Sequence, residues 1–274
     1  MSAPECCVLI PYLEAGDELA AAVRSLLPLP AGVDVLVVDD GSTELPAAAV
    51  VAGSPDLADL AALDRLRVVA LPRNRGIEHA LNAGLEHVYG RYELVARLDC
   101  GDTSSPDRLG KQLAVMRARP SLAVVGSWVE FVDPAGRSLY VLRQPVDDRS
   151  IRAAMRVNAA FTHPAVMMRT SAVAEAGGYP VDRRAAEDFA LFWALLGIGE
   201  GHNIPEVLTR CQISPTGISN LSRRRQLRSR ITVLVEQFQW SPVAVYGIVR
   251  AVLQLATPRS ATVAARRLVA HRDR

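Results

Sequence analysis

A chain of 274 residues, half of them hydrophobic and 22% charged, has the composition of a globular protein with a sizeable core, which excludes a disordered polar chain and a minimal stapled module. Its formal charge of +2 is unevenly spread: eleven Arg face only Glu236 and Asp273 across residues 220–274, a net +9 that leaves −7 on the first 219. The four cysteines (Cys6, Cys7, Cys100, Cys211) show no CxxC spacing, so neither a disulfide framework nor a structural zinc site is expected.

The opening "MSAPECCVLIPYLEAG" lacks a basic n-region and a long apolar core, so no export signal is expected and the cytoplasm is the expected location. "CCVLIPY" (6–12) and "VDVLVVDDGS" (33–42) read as buried parallel strands, each ending in a polar turn. Between them Leu19, Val23, Leu26 and Leu27 recur at helical spacing, which makes a βαβ unit. Residues 44–64, with Pro46 and Pro55, read as one helix or two short ones. The rhythm continues with strand-like 66–72, helical 76–88, strand-like 92–99 and a helix over 106–120 with proline near its first turn. Segment 122–142 predicts a strand and a hairpin turning at "DPAG". A loose boundary near residue 145 separates this regular half from shorter mixed elements.

In open parallel sheets ligands bind beyond the carboxyl ends of the strands. Here those ends carry Asp39 and Asp40, then "PRNRG", then Asp99 and Asp102 in "RLDCGD". The first strand is not followed by GxGxxG and no Walker A sequence occurs, which argues against a nicotinamide dehydrogenase and a P-loop phosphotransferase. A nucleotidyltransferase would need a Gly- and Lys/Arg-rich loop after the first strand, and "PYLEAGDE" has none.

Six stretches together carry a family resemblance: "VLIPYLEAGDELAAAVRSLL", "DVLVVDDGST", "LPRNRGIEHALNAGLEHVYGRYELVARLDCGDTSSPDRLGKQL", "HPAVMMRTSAVAEAGGY", "AEDFALFWALL" and "IPEVLTRCQISPTGIS". In this order and spacing the chain resembles the family-two inverting glycosyltransferases of the A-type fold over residues 7–219. The resemblance implies a Rossmann-like, mostly parallel sheet flanked by helices in a glycosyltransferase domain (1–219), nucleotide-binding to about 145 and acceptor-binding after it. Residues 220–274 would form a basic helical extension.

The resemblance further implies a nucleotide-diphosphate sugar donor, a divalent cation (Mn2+ or Mg2+) on its diphosphate, and a saccharide or lipid-linked acceptor whose hydroxyl loses its proton to a carboxylate, as in exopolysaccharide or cell-envelope synthesis. Chemistry agrees, because a diphosphate leaving group must have its charge absorbed and direct displacement needs a base opposite it. By resemblance Pro11, Glu14, Asp39, Asp40, Arg75, Asn82, Arg97 and Asp99 would line the nucleotide-sugar site, with Arg73 a second basic candidate. The alternative for Asp39 and Asp40 is a turn whose side chains cap the next helix.

Asp99 and Asp102 would hold the metal, and Asp188 would be the base at a helix start, followed by inward-packing Phe189, Phe192, Trp193 and Leu196. Glu187 and His163 would stand on the acceptor and phosphate side. Two departures bear on this. Relatives carry an acidic residue where Gly101 stands, so Asp102 either takes over as ligand or caps the helix near Pro106. Relatives also carry Tyr-Arg where this chain has Cys211-Gln212. Both departures favour a second reading, a degenerate member that binds without transferring.

In the extension, Leu227, Ile231, Leu234 and Phe238 form a stripe among arginines, and the apolar run 237–249 is too short to span a bilayer. Peripheral contact with an anionic inner membrane face, packing back onto the domain, and a homodimer contact are the three expectations. No nucleic-acid partner is expected.

Overall fold

In the computed structural model, residues 4–183, 185–213 and 223–256 are described. The chain builds one nine-stranded mixed sheet with the order β3-β2-β1-β4-β8-β6-β9-β5 and β7 added against β6. The regular half comprises β1 (Cys6–Tyr12), α1 (Gly16–Arg24), β2 (Val33–Asp39), α2 (Ala47–Gly53), α3 (Pro55–Ala62), β3 (Leu66–Ala70), α4 (Ile77–Val88) and β4 (Leu94–Arg97). These four strands are parallel, β1 pairing with both β2 and β4 and β2 with β3, as the apolar runs and crossover helices predict. The 44–64 segment is two short helices divided at Ser54, with Pro55 opening the second.

The second half interleaves with the first. It comprises β5 (Thr103–Ser104), α5 (Arg108–Ala118), β6 (Leu122–Val132), β7 (Ser138–Leu142), α6 (Asp148–Met155), the short 3-10 turn His163–Ala165, β8 (Met167–Arg169), α7 (Thr170–Glu175), α8 (Glu187–Ile198) and β9 (Glu200–Gln212). Strand β8 is antiparallel to β4 on one side and β6 on the other, while β9 runs parallel to β6 and antiparallel to β5. The predicted hairpin is β6–β7. Because β8 and β9 join strands from before residue 145, both halves share a single sheet.

Alternation along β1 explains why its sequence is apolar throughout. Cys7 and Leu9 face a core shared with α4, α7 and α8, whereas Cys6, Val8 and Ile10 face a core shared with α1, α3 and α5. Adjacent Cys6 and Cys7 thus lie on opposite faces, and burial pushes the Cys6 thiol up to about 12. Helix α4 seats closely because Gly84 lacks a side chain: a Cβ there would stand 2.3 Å from Leu9 and 2.9 Å from Val38.

The extension contributes α9 (Arg223–Glu236) and α10 (Pro242–Ala256). Val233, Leu234 and Ala251 enter the core beside α8, so this part packs back onto the sheet domain. Leu227 and Leu234 of the expected stripe are buried, while Ile231 and Phe238 are partly covered. The apolar run 237–249 is not one helix: residues 237–241 separate α9 from α10, which Pro242 opens and where its missing N–H costs nothing. Outward, α10 shows Val243, Tyr246, Val249 and Leu253, with Trp240 preceding it at 88% exposure. No helix among the described residues is long and apolar enough to cross a membrane. The 219/220 boundary and the end of "SPTGIS" fall outside the described residues, as do residues 257–274.

Candidate active site

The edge where β1, β2 and β4 end holds the first cluster, and most of its carboxylates are tied to backbone. Asp39 accepts hydrogen bonds from the N–H groups of Ser42 (2.8 Å) and Ala47 (2.8 Å), the latter the first residue of α2. Asp40 accepts from Arg75 and Gly76, both at 2.9 Å, which fixes the "RNRG" turn against β2. Asp39 thus reaches the first residue of the next helix, whereas Asp40 does not cap that helix and instead holds the turn before α4. Glu14, at φ 50°, accepts from the N–H groups of Thr43, Glu44 and Leu45, led by Thr43, and these bonds hold its carboxyl below the usual range. Pro11 offers its carbonyl to the Cys100 thiol at 3.4 Å. The Arg75 and Arg73 side chains are exposed beside this turn.

Arg97 departs from the expectation that it lines the nucleotide pocket. It is fully buried and donates to the Leu9 carbonyl, to His163 Nε2 at 3.2 Å and to the Asp99 carboxylate. Its role here is to orient Asp99, with no face left for a nucleotide. Since Arg97 must donate, Nε2 of His163 is the unprotonated nitrogen, and the Tyr179 hydroxyl at 2.8 Å donates to it too. Burial, then the neighbouring Arg97 charge, keeps His163 neutral. Asn82 closes the network: its Nδ2 donates to the Tyr179 carbonyl and its Oδ1 accepts from the Tyr179 N–H, both at 2.8 Å. Asn82 and His163 thus brace the "GGY" turn from two sides.

Two carboxylates stand in the loop beyond β4. Asp99 is partly exposed, whereas Asp102 is buried and accepts from the Gln212 N–H at 2.9 Å, which joins the β4 loop to the end of β9. Asp102 does not cap the following helix. Burial, then the charge of Asp99, lifts its carboxyl to about 7, against the pull of the Gln212 N–H and the Cys211 thiol. Gly101 between them sits at φ 88°, a left-handed conformation that favours glycine. Gln212 lies alongside, its side-chain oxygen 3.5 Å from where a Gly101 Cβ would stand. Arg210, two residues before Gln212, pairs with Glu130 at 2.6 Å.

A second pair, Glu187 and Asp188, begins α8. Burial, then Asp188, raises the Glu187 carboxyl to about 7. Asp188 is raised first by burial and further by Asp99, while its own Oδ1 accepts the Phe189 N–H at 2.6 Å. The residues anchoring it behave as the spacing predicts: Phe189, Phe192 and Leu196 are buried and Trp193 is partly so. Arg230 of α9, unremarked among a run of arginines in the sequence, lies 5.0 Å over the Phe189 ring and offsets part of the Asp188 shift. Tyr179 and the buried Arg108, which donates to the Arg97 carbonyl at 2.7 Å, were also not singled out; "GGY" was the available signal for the first.

Asp99 and Asp102 are hard oxygen donors whose mutual repulsion a cation would relieve, which suits Mg2+ or Mn2+ shared with a diphosphate. Among the described residues no cluster of three or more His, Cys, Asp or Glu could hold a metal ion.

With this geometry in place the class is clear: residues 7–176 match the family described as Glycosyl transferase family 2, and the chain belongs to it. Two relatives show the company it keeps. It is 31% identical over 161 residues to the amylovoran biosynthesis glycosyltransferase AmsE of Erwinia amylovora, covering 58% of each chain. It is 27% identical over 171 residues to a UDP-Gal:alpha-D-GlcNAc-diphosphoundecaprenol beta-1,3-galactosyltransferase of Escherichia coli, covering 62% of this chain and 60% of that one. The matched part is thus about three fifths of these relatives' length. The fold is that of S. aureus TarS 1-349, solved with UDP-GlcNAc (TM-score 0.63, 16% identity, 92% of this chain and 70% of that one). It is also that of the mannosyltransferase PcManGT of Pyrobaculum calidifontis, solved with GDP-Man and Mn2+ (TM-score 0.58, 18% identity, 98% and 81%).

Proposed function

We propose that this chain is an inverting glycosyltransferase that moves a sugar from a nucleotide-diphosphate donor to an acceptor hydroxyl in exopolysaccharide or cell-envelope synthesis. The observation that carries this reading is that Asp99, in the loop after β4 that also carries Asp102, lies near enough to Asp188 at the start of α8 for its charge to raise the Asp188 carboxyl. A base kept basic by burial thus faces the place where a diphosphate would sit.

In the proposed step the acceptor hydroxyl gives its proton to an Asp188 oxygen while its own oxygen forms the bond to the anomeric carbon. The bond from that carbon to the diphosphate breaks, and its electron pair leaves with the nucleotide diphosphate. Arg97 holds Asp99 in place, and exposed Arg75 is positioned to meet the donor's negative charge. A Mn2+ or Mg2+ ion held by Asp99 and Asp102 would supply neutralisation of the leaving diphosphate. Glu187, lifted to about 7, carries a proton for much of the neutral range and so limits repulsion beside Asp188.

The relatives' names support the pathway class, and the donors seen in TarS and PcManGT support a nucleotide sugar. We also propose that the outward face of α10 lies on the anionic inner surface of the membrane, because apolar Tyr246, Val249 and Leu253 sit in an extension carrying net +9. Gly101 and Gln212 favour the second reading, a member that binds a nucleotide sugar without transferring. Incubating the purified protein with a panel of nucleotide sugars and manganese separates the two. Release of the nucleotide diphosphate from one donor supports transfer, and binding without release supports the second reading.

A further inference from the structure

The loop after α6 and the two extension helices bring arginines together at a place the proposed chemistry does not use. Arg230 Nη2 and Arg250 Nη1 both donate to the carbonyl of Val157, at 2.7 and 3.2 Å. Two guanidinium groups thus converge on a single oxygen, and among the described residues neither forms an ion pair with a carboxylate. Arg156, next in the chain to Val157, donates to Gln239 at 2.8 Å. Glu236, the acid closest in sequence, is engaged by Arg183 at 2.6 Å. Arg230 Nε and Arg156 Nη1 are buried with no hydrogen-bond partner among the described residues. Burial, then the charge of Arg250, brings the Arg230 guanidinium down to about 10, with the Asp188 carboxylate offsetting only part of the fall.

Like charges brought together, with buried N–H groups unpaired, are costly unless something anionic completes them. Guanidinium groups match phosphate oxygens in geometry and charge better than any other side chain. The position is informative as well. Arg230 stacks on Phe189, the residue after Asp188, so whatever binds Arg230 and Arg250 adjoins the base rather than the Asp39–Asp40 edge.

We propose that Arg230 and Arg250 form a binding site for a phosphate group carried by the acceptor. The acceptor is then a phosphate ester whose sugar or alcohol hydroxyl reaches Asp188. The inference deepens the proposed function and rests on the assignment of Asp188 to the acceptor side. One phosphate chemistry has two sources, a lipid-linked diphosphate or a soluble sugar phosphate.

The test is calorimetry on the full chain saturated with UDP and manganese, so that the donor site is filled, using N-acetylglucosamine 1-phosphate, farnesyl diphosphate and unphosphorylated N-acetylglucosamine as probes. Binding of one or both phosphorylated probes, none of the unphosphorylated sugar, and a loss of about tenfold or more in R230Q and R250Q is the expected result. Stronger binding of farnesyl diphosphate assigns the lipid-linked source, and equal or stronger binding of the sugar phosphate assigns the soluble one. R230K and R250K keep the charge but not the guanidinium fork and should bind more weakly than the wild type yet more tightly than the Gln variants, which separates loss of the site from loss of folding. No binding by the UDP-saturated protein, or binding that both Gln variants leave unchanged, overturns the site. A fall in UDP affinity in the Gln variants would mean that the arginines serve the donor diphosphate, and also overturns it. Failure of UDP itself to bind the wild type is read separately and tells against the proposed function.

Discussion

Asp188 and Glu187 are adjacent carboxylates with different expected behaviour, because only Asp188 is proposed to receive the acceptor's proton. Asp188→Asn preserves size and helix packing but removes the basic oxygen. Sugar transfer should therefore fall by about 10² to 10⁴-fold with UDP affinity nearly unchanged, as read by steady-state rates beside calorimetry. Glu187 titrates through folding. Its carboxyl is raised from the ordinary 4.5 to about 7 in the fold, so the folded state binds more protons than the unfolded one between those values. Stability then falls as pH rises from about 4.5 to about 7 and is level above, and Glu187→Gln should lift Tm by a few degrees at pH 8 and hardly at all at pH 5. A thermal melt series at the two pH values is the check. The start of α8 was legible in the sequence because an apolar helical stripe follows it, while the roles expected of its Glu-Asp pair come from the family resemblance. The fully buried placement of Arg97 was not legible, because an arginine is almost never fully buried without partners. Its partners Leu9 and His163 are 88 and 66 residues away, and nothing local announces them.

At the level of elements, apolar runs made the parallel strands readable, since burial on both faces removes alternation and leaves Val, Leu and Ile in unbroken series. The short strands were harder. Strand β5 is two residues long and exists only because β9 reaches it, so no period could mark it. Strand β8, three residues between β4 and β6, is similarly a product of tertiary pairing. The contact of α4 with β1 and β2 offers a direct test. Gly84→Ala places a methyl against Leu9 and Val38, neither with room to withdraw in a close-packed core, and should destabilise the protein by about 1–3 kcal/mol despite alanine's better helix propensity. A lower urea midpoint with an unchanged slope would bear this out. An unchanged or higher midpoint would show that α4 can slide outward at little cost.

For the molecule as a whole, the extension is where reading the sequence gave three open possibilities and the structure realises one of them on one face. The buried side of α9 and α10 completes the core through Val233, Leu234 and Ala251. The opposite side leaves Trp240, Tyr246 and Leu253 in solvent. The charge imbalance was visible in composition, but how the helices divide between core and surface depends on their seat against α8 and the Val157 loop. If the outward face rests on anionic lipid, the Tyr246→Ser, Leu253→Ser double variant should shift from pellet to supernatant in vesicle sedimentation at low salt. Its melting temperature should hold, because exposed side chains contribute little to folding. Wild-type protein that stays in the supernatant under those conditions would remove the membrane contact.

The double use of α9 and α10 has a consequence for how such proteins diversify. A helix that only plugged the core could drift freely in its polar residues, and a helix that only met the acceptor could be exchanged as a cassette. Here Val233 and Leu234 share α9 with Arg230, and Ala251 follows Arg250 directly in α10. A chimaera that grafts this terminal segment onto a relative would carry over the hydrophobic fit and the phosphate recognition as one inheritable unit, and the graft would succeed only where the recipient's α8 accepts both.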